Sequence, residues 1–442
     1  MDTGNSAELL ADLLRSAFVV EAARAQVYTS WAGADPTFTR RAELAVRRTE
    51  LARNRLLEAG RRPDEALVAG HVAWIESLTG KVPGEVAFAD ILLVRLGDWV
   101  ARHAAVFYGE AAAELDELAE AERAELKLPV SLPVPPPFER LQAPEPQLPG
   151  EVLFRFAVLG DLHIGSAVGD DLAAAAIADI NASGAELVVQ LGDITDHGEA
   201  AEFDAAVALL TRLEAPCYTM LGNHDVFSVS EGRLAGRDRF AAAFGRAPDG
   251  VLVEHRGFRF CVLDSAEHDT SPFPPFDLLT GTFMDGPGGA VVRGSLTPPQ
   301  HDLLAEVAAP GAPPAFVFLH HPVQPYTGFP PVLFGLRDAD SGRLHAVVDS
   351  GNVWGIFAGH THRNARTRTF SGVPAHEVAI PRDFPCGFAL VDVCEHGYAY
   401  RFVQVSDDDL LRAAYGRAGE IWRRYAGGAA HERAFSWSAP RR

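Results

Sequence analysis

"RFAVLGDLH", residues 155–163, is a short apolar run closed by a glycine, an aspartate and, two places on, a histidine. Its length and β-favouring residues read as a buried strand, and Gly160 lets the backbone turn sharply where the polar residues begin. The same pattern recurs downstream. "LVVQLGDITDHG" (187–198) delivers Asp193, and "CYTMLGNHD" (217–225) delivers Asn223, His224 and Asp225. "FCVLDS" (260–265) ends on Asp264, "AFVFLHHP" (315–322) on His320 and His321, and "WGIFAGHTH" (354–362) on His360 and His362. Helical stretches separate these runs, so residues from about 151 read as an α/β domain. In open α/β sheets ligands gather outside the carboxyl ends of strands, so five of these ends can pool their side chains in one place.

Upstream the pattern is helical. Leu9, Leu10, Leu13, Leu14 and Phe18 recur at helical spacing behind Ser6. A break at "AGADP" (32–36) precedes a second amphipathic run over about 37–60. Pro63 suits the first turn of a third helix reaching Leu78, and "TGKVPG" (79–84) separates it from a long fourth. Four long helices with short connections predict an all-α four-helix bundle over 1–127. Residues 128–150 contain eight prolines, which remove N–H donors and predict an extended connector. The α/β domain is expected over 151–406, followed by a C-terminal helix and tail over 407–442. The bundle invites a di-iron reading, but residues 1–126 hold no Glu-x-x-His pair. A structural bundle, through which an oligomer could form, is the expectation.

Taken singly, the strand ends have ordinary explanations. A lone Asp193 reads as a helix cap, and "HHP" as a packed histidine before a turn. Together, five ends of one type point to a metal site. Imidazole with carboxylate and amide oxygen suits Zn, Mn or Fe better than Ca or Mg. The lack of cysteine among these strand-end donors argues against a structural zinc knot. Two ions held about 3.5–4 Å apart need a shared ligand, and a carboxylate with two oxygens can supply it. His71 and His103 are read as bundle residues, and His197, His255, His301 and His376 as surface or loop residues.

"GDLH…GD…GNHD…H…GHTH" resembles the calcineurin-like metallophosphoesterases, over roughly residues 153–404. The resemblance implies a four-layer α/β/β/α sandwich and two divalent or trivalent ions (Mn, Fe or Zn). It implies Asp161, His163 and His362 on one ion, Asn223, His320 and His360 on the other, and Asp193 bridging. His320 rather than His321 takes the ligand position because it stands two residues before Pro322. His224 would touch the substrate phosphate, with Asp225 orienting it, while a hydroxide held between the ions attacks phosphorus. The stretch after Asp193 lacks the iron-ligating tyrosine of the purple acid phosphatases, which moves the resemblance toward class III cyclic-nucleotide phosphodiesterases. A small phosphodiester is the first expected substrate, ahead of a phosphomonoester. The alternatives are a phosphoanhydride or phospholipid head-group hydrolase, and a non-enzymatic metal-binding scaffold whose bundle recruits a partner. Residues 266–295, rich in Pro and Gly, depart from the compact family pattern. Arg363, next to the last motif, is weighed as a phosphate contact against a solvated arginine.

The composition agrees. A formal charge of −20 disfavours polymeric nucleic acid, whose affinity rests on cationic contacts, while bound ions can still attract a small anion. Lys81 and Lys127 are the only lysines, which excludes a P-loop or Schiff-base lysine in the α/β region. No apolar run is long enough for a membrane span. Four widely spaced cysteines and a start unlike a secretion signal predict a cytoplasmic protein.

Overall fold

The computed structural model describes residues 3–63, 137–228, 230–231, 233–266, 294–323, 335–369, 371–418 and 420–440. It also describes Glu65, Val68, Ala69, Val72 and the pairs 276–277 and 282–283. Two compact units divide the chain, one containing the described helices of residues 3–63 and the other the α/β sandwich.

The sandwich rests on strands that are apolar on both faces. The first sheet holds β1 (Val152–Leu159), β2 (Leu187–Gln190) and β3 (Cys217–Thr219), all parallel. The second holds β4 (Val251–His255), β5 (Phe258–Val262), β6 (Ala315–Leu319), β7 (Val353–Ala358), β8 (Ala365–Arg368) and β9 (Pro374–Glu377). Its β5, β6, β7 and β9 run parallel, with β4 and β8 antiparallel at the edges. The chain then returns to the first sheet as β10 (Gly387–Cys394), β11 (Gly397–Gln404) and β12 (Ala434–Ser438), giving the order β12-β11-β10-β1-β2-β3.

Alternation along each strand assigns the layers. In β1, Phe154, Phe156 and Val158 join a core between the sheets, whereas Ala157 and Leu159 join another under the outer helices. In β6, Phe316 and Phe318 face the inter-sheet core, and Ala315, Val317 and Leu319 the opposite layer. Phenylalanines interlock at the centre: Phe156 meets Phe260 edge-on at 5.1 Å, and Phe318 stacks on Phe357 at 5.2 Å. Helices α3 (Asp170–Ala182) and α4 (Ala200–Leu210) cover the first sheet. Helices α6 (Pro298–Val307) and α7 (Asp338–Ser350) cover the second. A further helix, α5 (Gly236–Phe244), buries Phe240 in the first outer layer. The result is the expected α/β/β/α sandwich. His376 belongs to its core rather than to a loop, stacked at 4.5 Å on Tyr400 and 4.9 Å on Phe435. Its flat, weakly polar ring fills an aromatic slot, and position in the sequence carries no sign of that.

In the other unit, α1 (Thr3–Ala32) and α2 (Thr39–Glu58) bracket the predicted break and share a core of Phe18, Tyr28, Ala45, Ala52 and Leu56. Glu21 is buried there and accepts from Arg24 at 2.9 and 2.7 Å. The expected third and fourth helices, with His71 and His103, lie outside the described residues. Residues 137–148 carry no regular secondary structure. At the C-terminus, α8 (Asp408–Arg417) and α9 (Glu420–Gly427) replace the single helix expected, and part of the expected tail is β12, an edge strand.

Candidate metal centre

The parallel strands β1, β2, β3, β6 and β7 point their carboxyl ends toward one region, and each is followed by polar residues. Sharp turns aim those residues. His163 (φ 45°), Asp193 (φ 49°), His360 (φ 68°) and His362 (φ 55°) all lie in the left-handed region. They are four of only six non-glycine residues with positive φ among those described. Such backbone costs on the order of 1–3 kcal/mol per residue and clusters where function demands a geometry. At Gly222 a Cβ would meet Asp193 Oδ1 at 2.1 Å, so only glycine lets these two turns touch.

Two groups of side chains meet here. In the first, Asp161, His163, Asp193 and His362 offer ligand atoms that all lie within 4.8 Å of one another. His163 Nε2 is 3.0 Å from His362 Nε2, which in turn is 3.3 Å from Asp161 Oδ2. In the second, His320 Nε2 lies 3.0 Å from Asn223 Oδ1 and 3.2 Å from His360 Nδ1. Asp193 stands between them, its Oδ2 3.6 Å from His163 Nε2 and 3.4 Å from His320 Nε2.

Hydrogen bonds behind these atoms fix their roles. His320 Nδ1–H donates to the Leu191 carbonyl at 2.7 Å, which turns Nε2 toward the cluster. His163 Nδ1 pairs with the Asp196 carboxylate at 3.0 Å. His321 also lies beside His320 and His360. The Ser265 hydroxyl accepts the main-chain N–H groups of His320 (3.2 Å) and His321 (3.1 Å), so its own proton goes to His321 Nδ1 at 3.0 Å. That contact occupies the Nδ1 lone pair of His321.

The field of the site calls for positive charge. Asp161 and Asp193 are essentially fully buried, and Asp161 Oδ1 has no hydrogen-bond partner among the described residues. Burial lifts the Asp161 carboxyl well above its usual range, although His320 opposes this. Burial acts likewise on Asp193, but His320 and His224 outweigh it and hold that carboxyl well below the usual range. Burial disfavours charge on His320, yet Asp193 and Asp161 push it up to about 9. Burial, together with His320 for one and His163 for the other, pulls His360 and His362 well below the usual imidazole range. Two buried carboxylates, an amide oxygen and four imidazoles form a donor set that suits two first-row transition ions.

The family model of the calcineurin-like phosphoesterases matches residues 154–364. This segment is a calcineurin-like phosphoesterase domain. The chain is 32% identical over 202 residues to a probable cyclic nucleotide phosphodiesterase of Rhodococcus erythropolis, an alignment covering 44% of this chain and 58% of that relative's length. Solved structures with a similar fold include a dimetal phosphatase from Danio rerio (19% identity, TM-score 0.42, covering 57% of this chain and 98% of that one). Another is the purple acid phosphatase PPD1 of yellow lupin (15% identity, TM-score 0.39, covering 60% and 53%).

Not every residue of the phosphoesterase domain acts as its sequence suggests. Asp225 does not orient the His224 ring. Its buried carboxylate accepts from Thr195 N–H (2.8 Å), Thr195 Oγ1 (2.7 Å), Ile194 N–H (3.0 Å) and Gly222 N–H (2.8 Å), tying the Asp193 turn to the Asn223 turn. Burial and the neighbouring Asp193 raise it to about 6. The His224 ring is held instead by the main-chain oxygen of Asp196, 2.9 Å from Nδ1, while the main-chain N–H of His224 donates to Asp193 Oδ1 at 2.8 Å. Sequence reasoning misses Asp196 itself, although a carboxylate three residues after Asp193 is a natural partner for a liganding histidine. It also misses Arg382, which donates to the carbonyls of His163 (3.0 Å) and Val168 (2.7 Å) and so holds the His163 turn. Asp264 pairs with Arg237 at 2.5 Å. Most of residues 266–295 lie outside the described residues.

Arg363 is neither a phosphate contact nor solvated. It is buried and forms a two-point pair with Glu377, Nε to Oε2 at 2.8 Å and Nη2 to Oε1 at 2.9 Å. Replacing Arg363 with alanine strands the buried Glu377 carboxylate and should cost about 3–5 kcal/mol of stability. Urea denaturation measures this; unchanged stability with a raised KM would restore the substrate-contact reading.

Proposed function

We propose that this chain is a binuclear-metal phosphodiesterase acting on small phosphodiesters. Asp161, His163 and His362 would hold one ion, Asn223, His320 and His360 the other, and Asp193 both. The observation that carries this reading is the position of Asp193 Oδ2 between His163 Nε2 and His320 Nε2. Two ions there would supply a nucleophile at neutral pH and positive charge opposite the phosphoryl oxygens. The remaining work belongs to the chain. His224 donates its Nδ1–H to the Asp196 carbonyl, which leaves Nε2 to hold a proton for the leaving oxygen. Its side chain keeps 31% exposure, so substrate can reach it. Asp193, through Oδ1, fixes the main chain that carries His224.

The diester preference draws on the relative described as a probable cyclic nucleotide phosphodiesterase. The four cysteines are free thiols, which suits the reducing cytoplasm, and no described helix is long and apolar enough to cross a membrane. The test compares bis-(p-nitrophenyl) phosphate with p-nitrophenyl phosphate in the presence of Mn, Zn or Fe and after chelation. Faster, metal-dependent turnover of the diester is expected. No turnover with any metal would sink the enzymatic reading, and a monoester preference would sink the diester assignment.

A further inference from the structure

The turn His360–Asn364 presents two candidate ligands in left-handed backbone, a conformation that surrounding structure has to impose. The surrounding structure comes from the far end of the chain. After β11 the chain forms α8 and α9 before returning as β12, and the end of α9 reaches the turn. Tyr425 Oη donates to the Thr361 carbonyl at 2.8 Å, and Asn364 N–H donates to the Ala426 carbonyl at 3.0 Å. At Gly428 (φ 63°) a Cβ would lie 2.2 Å from the Asn364 oxygen, so the approach is too close for any other residue. Below the turn, Thr361 Oγ1 donates to Glu377 Oε2 at 2.7 Å, and the Arg363 guanidinium lies 5.5 Å from the centre of the Tyr425 ring. The residue between the two histidines is therefore gripped at its carbonyl by Tyr425 and at its side chain by Glu377.

We propose that Tyr425 is a positioning residue for the metal centre, and that residues 425–428 splint the turn carrying His360 and His362. Tyr425 acts through the backbone: its hydroxyl fixes the peptide that follows Thr361, and so the direction in which His362 leaves the chain. The inference rests on the metal-site reading above. It assigns part of the site's geometry to a segment beyond residue 364, where the family match ends.

The experiment uses the full chain, with Tyr425→Phe, Gly428→Ala and the control Arg412→Ala, whose partners are Asp408 and Asp409. Tyr425→Phe keeps the ring and removes one hydroxyl, so the fold should persist. Mn(II) binding is followed by calorimetry and by electron paramagnetic resonance, which reads ligand geometry independently of turnover. The parent is expected to take two ions. Tyr425→Phe should weaken uptake of one of them about tenfold, the scale of one lost hydrogen bond, and change the resonance spectrum. Gly428→Ala should do the same or more, and Arg412→Ala should change neither. A parent that binds no Mn(II) overturns the metal-site reading itself. A parent with two ions and a Tyr425→Phe variant identical in affinity and spectrum overturns the splint alone. Equal weakening in Arg412→Ala also overturns it, because the effect would then be general destabilisation.

Discussion

Asp193→Asn should cut phosphodiester hydrolysis about a thousandfold or more, roughly 4 kcal/mol of transition-state stabilisation. The substitution is nearly isosteric, and its effect follows from one hydrogen bond. Asp193 Oδ1 accepts the His224 N–H at 2.8 Å, so the amide oxygen of an asparagine must take that side. Its NH2 group then falls where Oδ2 stood, beside His163 Nε2 and His320 Nε2. A donor replaces the one atom placed to serve both halves of the site, and a negative charge that offsets two cations is lost. After Mn loading, elemental analysis should find fewer than two ions per chain, with unchanged circular dichroism. Two ions and parental turnover would exclude Asp193 as the shared ligand.

His224→Ala should behave in the opposite way, keeping both ions and losing rate by about 10²–10⁴-fold. The ring sits 4.6 Å from that of His163, but its Nδ1 is committed to the Asp196 carbonyl, and the side chain is the more exposed of the two. It faces the solvent side from which a substrate would arrive. Asn223, one residue earlier, is buried and has its Oδ1 against His320 Nε2. Asn223→Ala should accordingly lose one ion before it loses anything else. Metal content and kcat measured on both variants separate the two roles. Equal metal loss in the two would show that they do not divide the work in this way.

Both predictions concern residues that stand out in the amino-acid sequence, and the reason is local. A strand that is buried on both faces must be apolar throughout, so the polar residues at its end are conspicuous, and five such ends in series are hard to produce by accident. The first two helices are legible for a similar reason, since the break between α1 and α2 falls at Pro36 as expected, although α1 starts at Thr3, ahead of the Ser6 expected to cap it. The C-terminal edge strand is less so. Ala434–Ser438 is five residues long, and only pairing with β11 makes it a strand.

The residues whose roles differ from their sequence reading share another cause. The surroundings of Asp225, Arg363 and His376 in the chain suggest a histidine partner, a phosphate contact and a loop. Their partners are instead Thr195, Glu377 and Tyr400, at sequence separations of 30, 14 and 24 residues. A carboxylate next to a histidine in sequence can point away from it, because neighbouring side chains leave a turn in different directions. Asp196, Arg382 and Tyr425 carry no motif at all; their roles exist only because β2, the turn after β9 and the end of α9 meet around the strand ends.

The sequence by itself therefore determined the α/β architecture, the strand ends that carry the chemistry, and the kind of ion those donors suit. Those properties follow from burial pattern and donor type, which each short segment records. The tertiary structure alone decided that Asp196 rather than Asp225 backs a histidine of the site, which ring nitrogen of His320 and of His224 is committed to a main-chain carbonyl, and what holds the left-handed turns. Those depend on distances and hydrogen bonds between segments up to about two hundred residues apart, such as His163 with His362, and no local pattern encodes them.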